Sequence, residues 1–166
     1  IISYDGSGEL RLREYGGNNI RGLQGAGAWV ASSVELMRLV ASIDGKPGVP
    51  DIISPESVAE MKDIRRKGDY ALGWAKYHPN VGSLVRTGTM SGTCAYIDHR
   101  EGGVSYVFLT NTSHYRGASF TNSIGSMVRN AMTRVEDWPT DRDMFVEVPP
   151  TPQMEADTTS VEGDLS

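Results

Sequence analysis

Two apolar segments separated by an acidic, glycine-containing turn constrain the fold of this chain most strongly. The segments "CAYIDHR" (94–100) and "VSYVFLTN" (104–111) flank the turn Glu101-Gly102-Gly103. Aromatic and β-branched residues on both sides of a short glycine turn are typical of a β-hairpin. A lone hairpin is marginal in water, so this region predicts an antiparallel sheet that buries at least one face under other elements.

Further strands are predicted before the hairpin. "YALGWAKY" (70–77) is rich in aromatic residues, and "SLVRTG" (83–88) follows it after a short loop. Near the start of the chain, "ELRLREY" (9–15) alternates apolar and polar residues with a period of two, which favours a short strand.

The sequence also predicts helices that cover the sheet. Ser32 and Glu35 have the spacing of a capping box, ahead of an apolar face over 33–43. Ser54-Pro55-Glu56 combines a cap, a first-turn proline and an acid, and predicts a second helix that ends at 61 or 62. A long helix is predicted over 117–135, with an apolar stripe expected to face the core: Phe120, Ile124, Met127, Val128, Ala131 and Val135. The predicted fold class is therefore α+β, an antiparallel sheet covered by helices.

Charge divides the chain into two regions. Net charge is −5, but residues 139–166 hold seven acids and one base, which leaves residues 1–138 near +1. We therefore predict a domain over 1–138 and an acidic, proline-rich tail over 139–166 that is partly disordered, since it has little apolar surface to offset ordering entropy. The one basic cluster, Arg65 to Lys67, is short and predicts no nucleic-acid partner. No apolar run is long enough to predict a membrane span.

Metal and cofactor chemistry has no support in the sequence. The histidines His78, His99 and His114 are dispersed and lack metal-ligand spacing, so no metal site and no cofactor are predicted. We interpret His99 and His114 as exposed structural residues. Cys94, the one cysteine, is interpreted as a small buried strand residue.

Four blocks in order carry a family resemblance: "GAGAWVASSVELMRLV", "IISPESVAEM", "YALGW" and "VRTGTMSGTCAYIDHREGGVSYVFLTN". Over residues 25–135 the chain resembles the C-terminal part of the serine β-lactamase and penicillin-binding-protein-like hydrolases, most closely the class C and esterase-like branch. The resemblance implies the C-terminal portion of a β-lactamase-like (DD-peptidase-like) fold.

The resemblance also implies a site. In the family a third motif, Lys-Thr-Gly or a variant, lines the active site, and Arg86-Thr87-Gly88 occupies its position. By this resemblance, Arg86, Thr87 and Gly88 bind substrate, and the backbone N–H of Thr89 donates to the oxyanion. An arginine keeps its charge and cannot shuttle protons near neutral pH, so Arg86 is assigned to binding.

The other two motifs of that family, Ser-x-x-Lys and Tyr-x-Asn, do not occur in these 166 residues. In the family both lie N-terminal to the blocks found here. The expectation is that this chain is a C-terminal segment and that its partner is an N-terminal segment that carries the nucleophile.

Three interpretations stay open. The first is a segment of a serine hydrolase that cleaves an amide or ester of a small-molecule or peptide substrate through an acyl-enzyme, in an extracytoplasmic compartment as in the resembled family. The second is a non-catalytic β-lactamase-like domain that binds peptides or cell-wall material, with Arg86 anchoring a carboxylate. The third is a segment that does not fold alone, because removing the N-terminal strands leaves an unpaired sheet edge and exposed apolar faces.

Overall fold

A computed structural model describes residues 7–10, 19, 21–64, 70–90, 92–143 and 145 of the chain. Most of the predicted strand 9–15, the basic cluster 65–67 and most of the acidic tail lie outside the described residues. The helices are α1 (Ser33–Ala41), α2 (Pro55–Met61) and α3 (Ala118–Met132). The strands are β1 (Lys76–His78), β2 (Ser83–Met90), β3 (Thr93–Arg100) and β4 (Tyr106–Thr110).

The four strands form one antiparallel sheet in the order β1-β2-β3-β4. β2 and β3 pair along their whole length, from Ser83 opposite Arg100 to Met90 opposite Thr93. β3 and β4 form the predicted hairpin, with Glu101-Gly102-Gly103 inside its loop. The α+β class, with an antiparallel sheet and helices, is thus confirmed.

Local capping chemistry begins α1 and α2 where the sequence predicts. The Ser32 hydroxyl accepts from the Glu35 N–H at 3.2 Å, and the Glu35 carboxylate accepts from the Ser32 N–H at 2.7 Å. These two bonds satisfy N–H groups that have no partner within a helix. At α2 the Ser54 hydroxyl accepts from the Ser57 N–H, and Pro55 is the first helical residue.

The two faces of the sheet carry separate cores because successive strand residues point to opposite sides. On one face Leu84 packs with Val40 of α1 and with Trp74. On the other face Val85 packs with Tyr96 and Tyr106, and α3 covers them with Val128 and Met132. The sheet therefore lies between α3 on one side and α1 on the other.

The predicted strand over 70–77 is wrong over most of its length. Ala71 and Trp74 form an isolated bridge around a turn in which Gly73 has φ 77°. A left-handed backbone at Gly73 cannot continue an extended strand. β1 is consequently only three residues long, and it pairs with Ser83–Val85 of β2.

The face that α3 presents to the sheet also differs from the predicted apolar stripe. Met127 is 65% exposed, Ala131 is exposed, and Val135 lies beyond the helix with 41% exposure. The buried positions are Thr121 and Gly125. Small residues let α3 approach the aromatic rings of the sheet closely, and Val128 and Met132 pack beside this contact.

Candidate functional site

The predicted site residues Arg86 to Thr89 lie in the half of β2 that extends past the end of β1. β1 pairs only with Ser83, Leu84 and Val85. Among the described residues, no strand pairs with the remainder of β2 on that edge. The segment Arg86–Met90 is therefore bonded to β3 on one side and open on the other.

Hydrogen bonds at the other end of β2 establish which backbone groups point to the open edge. The Glu101 N–H donates to the Gly82 carbonyl, on the β3 side, and the Ala75 N–H donates to the Val85 carbonyl, on the β1 side. Because the backbone groups of successive strand residues alternate in direction, Thr87 and Thr89 point the same way as Val85. Their N–H and C=O groups thus face the open edge, and no bond connects these groups to another described segment.

The Arg86 side chain is exposed and stands on the sheet face that also holds Leu84. Its cross-strand neighbour is Ile97. Gly88 lies two residues further along the same face, and because it has no side chain it leaves the sheet surface uncovered there. A Cβ at Gly88 would meet Ala95 only at an ordinary 3.8 Å, so packing within the described protein does not require glycine there.

Thr89 is tied to the helix on the opposite face. Its Oγ1 lies 2.7 Å from the Oγ1 of Thr121, which is fully buried in the first turns of α3. The bond fixes the end of β2 against α3. Thr121 is not among the site residues that the sequence predicts. The available signal was the four-residue spacing of small residues at Gly117, Thr121 and Gly125, which places them on one helix face.

The glycine-rich loop that precedes α1 approaches the same end of β2. A Cβ at Gly27 would lie 3.8 Å from the Met90 sulfur, and Gly27 itself has φ 107°. The two residues that follow the loop, Trp29 and Val30, are 88% and 96% exposed. A large apolar surface is thus open to solvent next to the loop.

The histidines lie away from this site. His99 is buried, with 2% exposure, which corrects the expectation that it is an exposed residue. It sits beside the Trp74 ring, its Nδ1 lies 3.1 Å from the Ser105 hydroxyl, and burial lowers the pKa of its imidazole. His114 is exposed as predicted, and it stacks on Phe120. Cys94 is buried, as predicted.

No group of three or more His, Cys, Asp or Glu side chains among the described residues could hold a metal ion. None of the described helices is both long enough and apolar enough to cross a membrane.

Comparison with protein families, curated proteins and solved structures finds no match for this chain. The geometry of the open β2 edge is therefore the basis for assigning a function.

Proposed function

We propose that this chain supplies the substrate-binding strand of a β-lactamase-like serine hydrolase. The observation that carries the proposal is the open edge of β2, where the exposed Arg86 lies beside the main-chain groups of Thr87 and Thr89. An open strand edge binds an extended peptide-like group through backbone hydrogen bonds. A cation next to it binds a carboxylate.

In this role each residue has a separate task. Arg86 binds a substrate carboxylate with its guanidinium fork, and the bare surface at Gly88 admits the substrate body. The Thr89 N–H, on the open edge, donates to the oxyanion that forms when the carbonyl is attacked. Thr121 holds Thr89 in place through the hydroxyl pair.

The attacking serine and its base belong to a segment outside these residues, since the chain has no Ser-x-x-Lys and no Tyr-x-Asn. Two features of the described protein support a covering segment. The β2 edge is open next to the site, and Trp29 and Val30 expose apolar surface that a neighbouring segment would bury.

The test is covalent labelling of the polypeptide extended at its N-terminus with the sequence encoded upstream. A fluorescent penicillin carries a carboxylate, whereas a fluorophosphonate does not. Arg86→Gln removes a charged hydrogen bond and should slow penicillin labelling roughly ten- to a hundredfold, with little effect on fluorophosphonate labelling. Arg134→Gln, another exposed arginine, is the matched control and should change neither rate.

Two results would contradict the proposal. Stoichiometric labelling of the 166-residue chain alone would place the nucleophile within it. If Arg86→Gln slowed labelling by both probes equally, the arginine would not be binding the penicillin carboxylate.

The permanent charge of Arg86 and the open edge also fit a non-catalytic domain that binds the C-terminus of a peptide. A peptide with a free carboxylate should then bind the 166-residue chain more tightly than its C-terminal amide. Arg86→Gln should abolish that difference. Peptide binding without labelling of the extended polypeptide would favour this second function over the hydrolase.

A further inference from the structure

A cavity lies at the other end of the sheet from the open β2 edge, between the β3–β4 hairpin loop and the last turn of α3. Its volume is about 170 Å³, and its walls include Arg100, Val104, Tyr106, Arg129, Met132 and Trp138. Arg100 pairs with Ser83, whereas Thr89 pairs with Cys94, six residues away along β3. At about 3.3 Å per strand residue, the two sites are roughly 20 Å apart.

One buried carboxylate is shared by two arginines at this cavity. Asp98 is fully buried, and its Oδ2 lies 3.3 Å from Arg129 Nη2 and 3.5 Å from Arg100 Nη2. The other carboxylate oxygen, Oδ1, accepts from the Ser83 hydroxyl at 2.6 Å. Two positive charges against one negative charge leave an excess of one positive charge at the cavity wall.

Other charged groups near Arg100 do not cancel this excess. Lys46 Nζ donates to the Arg100 carbonyl at 2.9 Å and is itself positive. Glu101, the next residue, is paired with Lys62 at 2.5 Å. The cluster of Asp98, Arg100 and Arg129 therefore keeps one net positive charge at the cavity wall.

Both arginine side chains remain partly exposed. Arg129 Nη2 donates to the Tyr96 hydroxyl at 3.2 Å. The Arg100 side chain is 29% exposed and the Arg129 side chain 39% exposed, so both guanidinium groups keep contact with solvent. The guanidinium fork matches the two oxygens of a carboxylate.

Apart from Thr133, whose hydroxyl donates to the Asn130 carbonyl, the remaining lining is mostly apolar. Trp138 and Met132 contribute ring and thioether surface, and the Tyr106 hydroxyl is already committed to the Gly125 carbonyl at 2.8 Å. The cavity is about ten times larger than the roughly 10–15 Å³ that one water molecule requires. A ligand with an anionic group at the arginines and a small apolar group against Trp138 would fit this space.

We propose that this cavity binds a small organic carboxylate between Arg100, Arg129 and Trp138. The site is independent of the open β2 edge, and its ligand need not be a substrate.

The test follows the Arg129 Nε–H and Trp138 indole N–H resonances by NMR while the 166-residue chain is titrated with sodium benzoate. Benzamide is the neutral control of the same shape, and sodium chloride controls for a simple anion. Benzoate should shift both resonances saturably, while benzamide and chloride should not. No saturable shift with benzoate, or equal shifts with benzamide, would overturn the proposal.

Variants locate the binding. Arg100→Gln should weaken benzoate binding roughly ten- to a hundredfold, the effect of one charged hydrogen bond. Thr133→Trp, at an exposed position on the cavity rim, should abolish it by filling the space. Arg86→Gln should leave it unchanged, which separates this site from the proposed hydrolase site. Undiminished affinity in both Arg100→Gln and Thr133→Trp would refute the assignment.

Discussion

Replacing Gly125 by alanine tests how closely α3 packs on the sheet. Alanine is the better helix former, so at an exposed position this change would stabilise a helix by about 1 kcal/mol. Here a Cβ at position 125 would lie 2.4 Å from a carbon of the Tyr96 ring. Contacts shorter than 3.0 Å essentially do not occur for real Cβ atoms, so something must shift.

The ring of Tyr96 has little freedom to move. Ordinary van der Waals contact begins near 3.4 Å, so helix and ring must separate by about 1 Å. Tyr96 is buried, stacks on Tyr106 with ring centroids 5.8 Å apart, and its hydroxyl accepts from Arg129. Moving α3 instead would stretch the bond from the Tyr106 hydroxyl to the Gly125 carbonyl. We therefore expect Gly125→Ala to destabilise the fold by about 1–3 kcal/mol, the range for overpacked cores.

The assay is urea unfolding followed by far-UV circular dichroism. Ser126→Ala, at the exposed neighbouring position of α3, is the control and should be neutral or slightly stabilising. Tyr96→Leu removes the outer ring atoms, so Gly125→Ala added to Tyr96→Leu should cost little. A Gly125→Ala protein more stable than the wild type would refute the packing argument.

Three further changes give distinct results. Burial lowers the pKa of the His99 imidazole, so this histidine protonates more readily in the unfolded chain than in the folded protein. The free energy of unfolding should therefore be retained above about pH 6.5 and should fall as the pH drops below that value. In urea unfolding at several pH values, His99→Gln should remove this pH dependence, whereas His114→Gln should keep it. Arg129→Met leaves the buried Asp98 carboxylate with only Arg100 and the Ser83 hydroxyl, so it should destabilise the fold, by less than the roughly 3–5 kcal/mol of a fully unpaired buried charge. Asp98→Asn should cost less, because both arginines keep contact with water. A larger loss for Asp98→Asn in thermal unfolding would contradict this. Thr121→Val removes the hydroxyl that holds Thr89 and should lower the free energy of unfolding by about 0.5–1.5 kcal/mol. In the extended polypeptide, Thr121→Val should also slow labelling by both probes. Thr121→Ser, which keeps the hydroxyl, should restore the labelling rate.

The elements that the sequence predicted well are those whose causes lie within a few residues. The capping box at Ser32 and Glu35, the Ser54 cap and the glycine turn after β3 all depend on neighbours three or four positions away. A local pattern therefore contains nearly all of the physics that forms them. The position of Arg86-Thr87-Gly88 on a strand was predicted for the same reason.

Predictions that depended on distant neighbours were less successful. His99 was expected to be exposed because it adjoins a hairpin turn, but Trp74 and Ser105 enclose it. Of the apolar stripe that was expected to face the core, Val128 does so, whereas Met127, Ala131 and Val135 are exposed. Thr121 and Gly125 take the fully buried positions instead. Periodicity identifies a helix and its apolar residues, but the shape of the opposing surface selects which side packs, and the Tyr96 ring admits only a small residue.

The sequence by itself determined the hairpin, the helix starts and the presence of a cation, a hydroxyl and a glycine in succession on one strand. Only the tertiary structure decided that no described strand covers one edge of this strand beyond Val85, because the turn at Gly73 limits β1 to three residues. It also decided that Arg100 and Arg129, on different elements, share the Asp98 carboxylate. Both outcomes follow from which segments meet in space, a property that no local pattern contains.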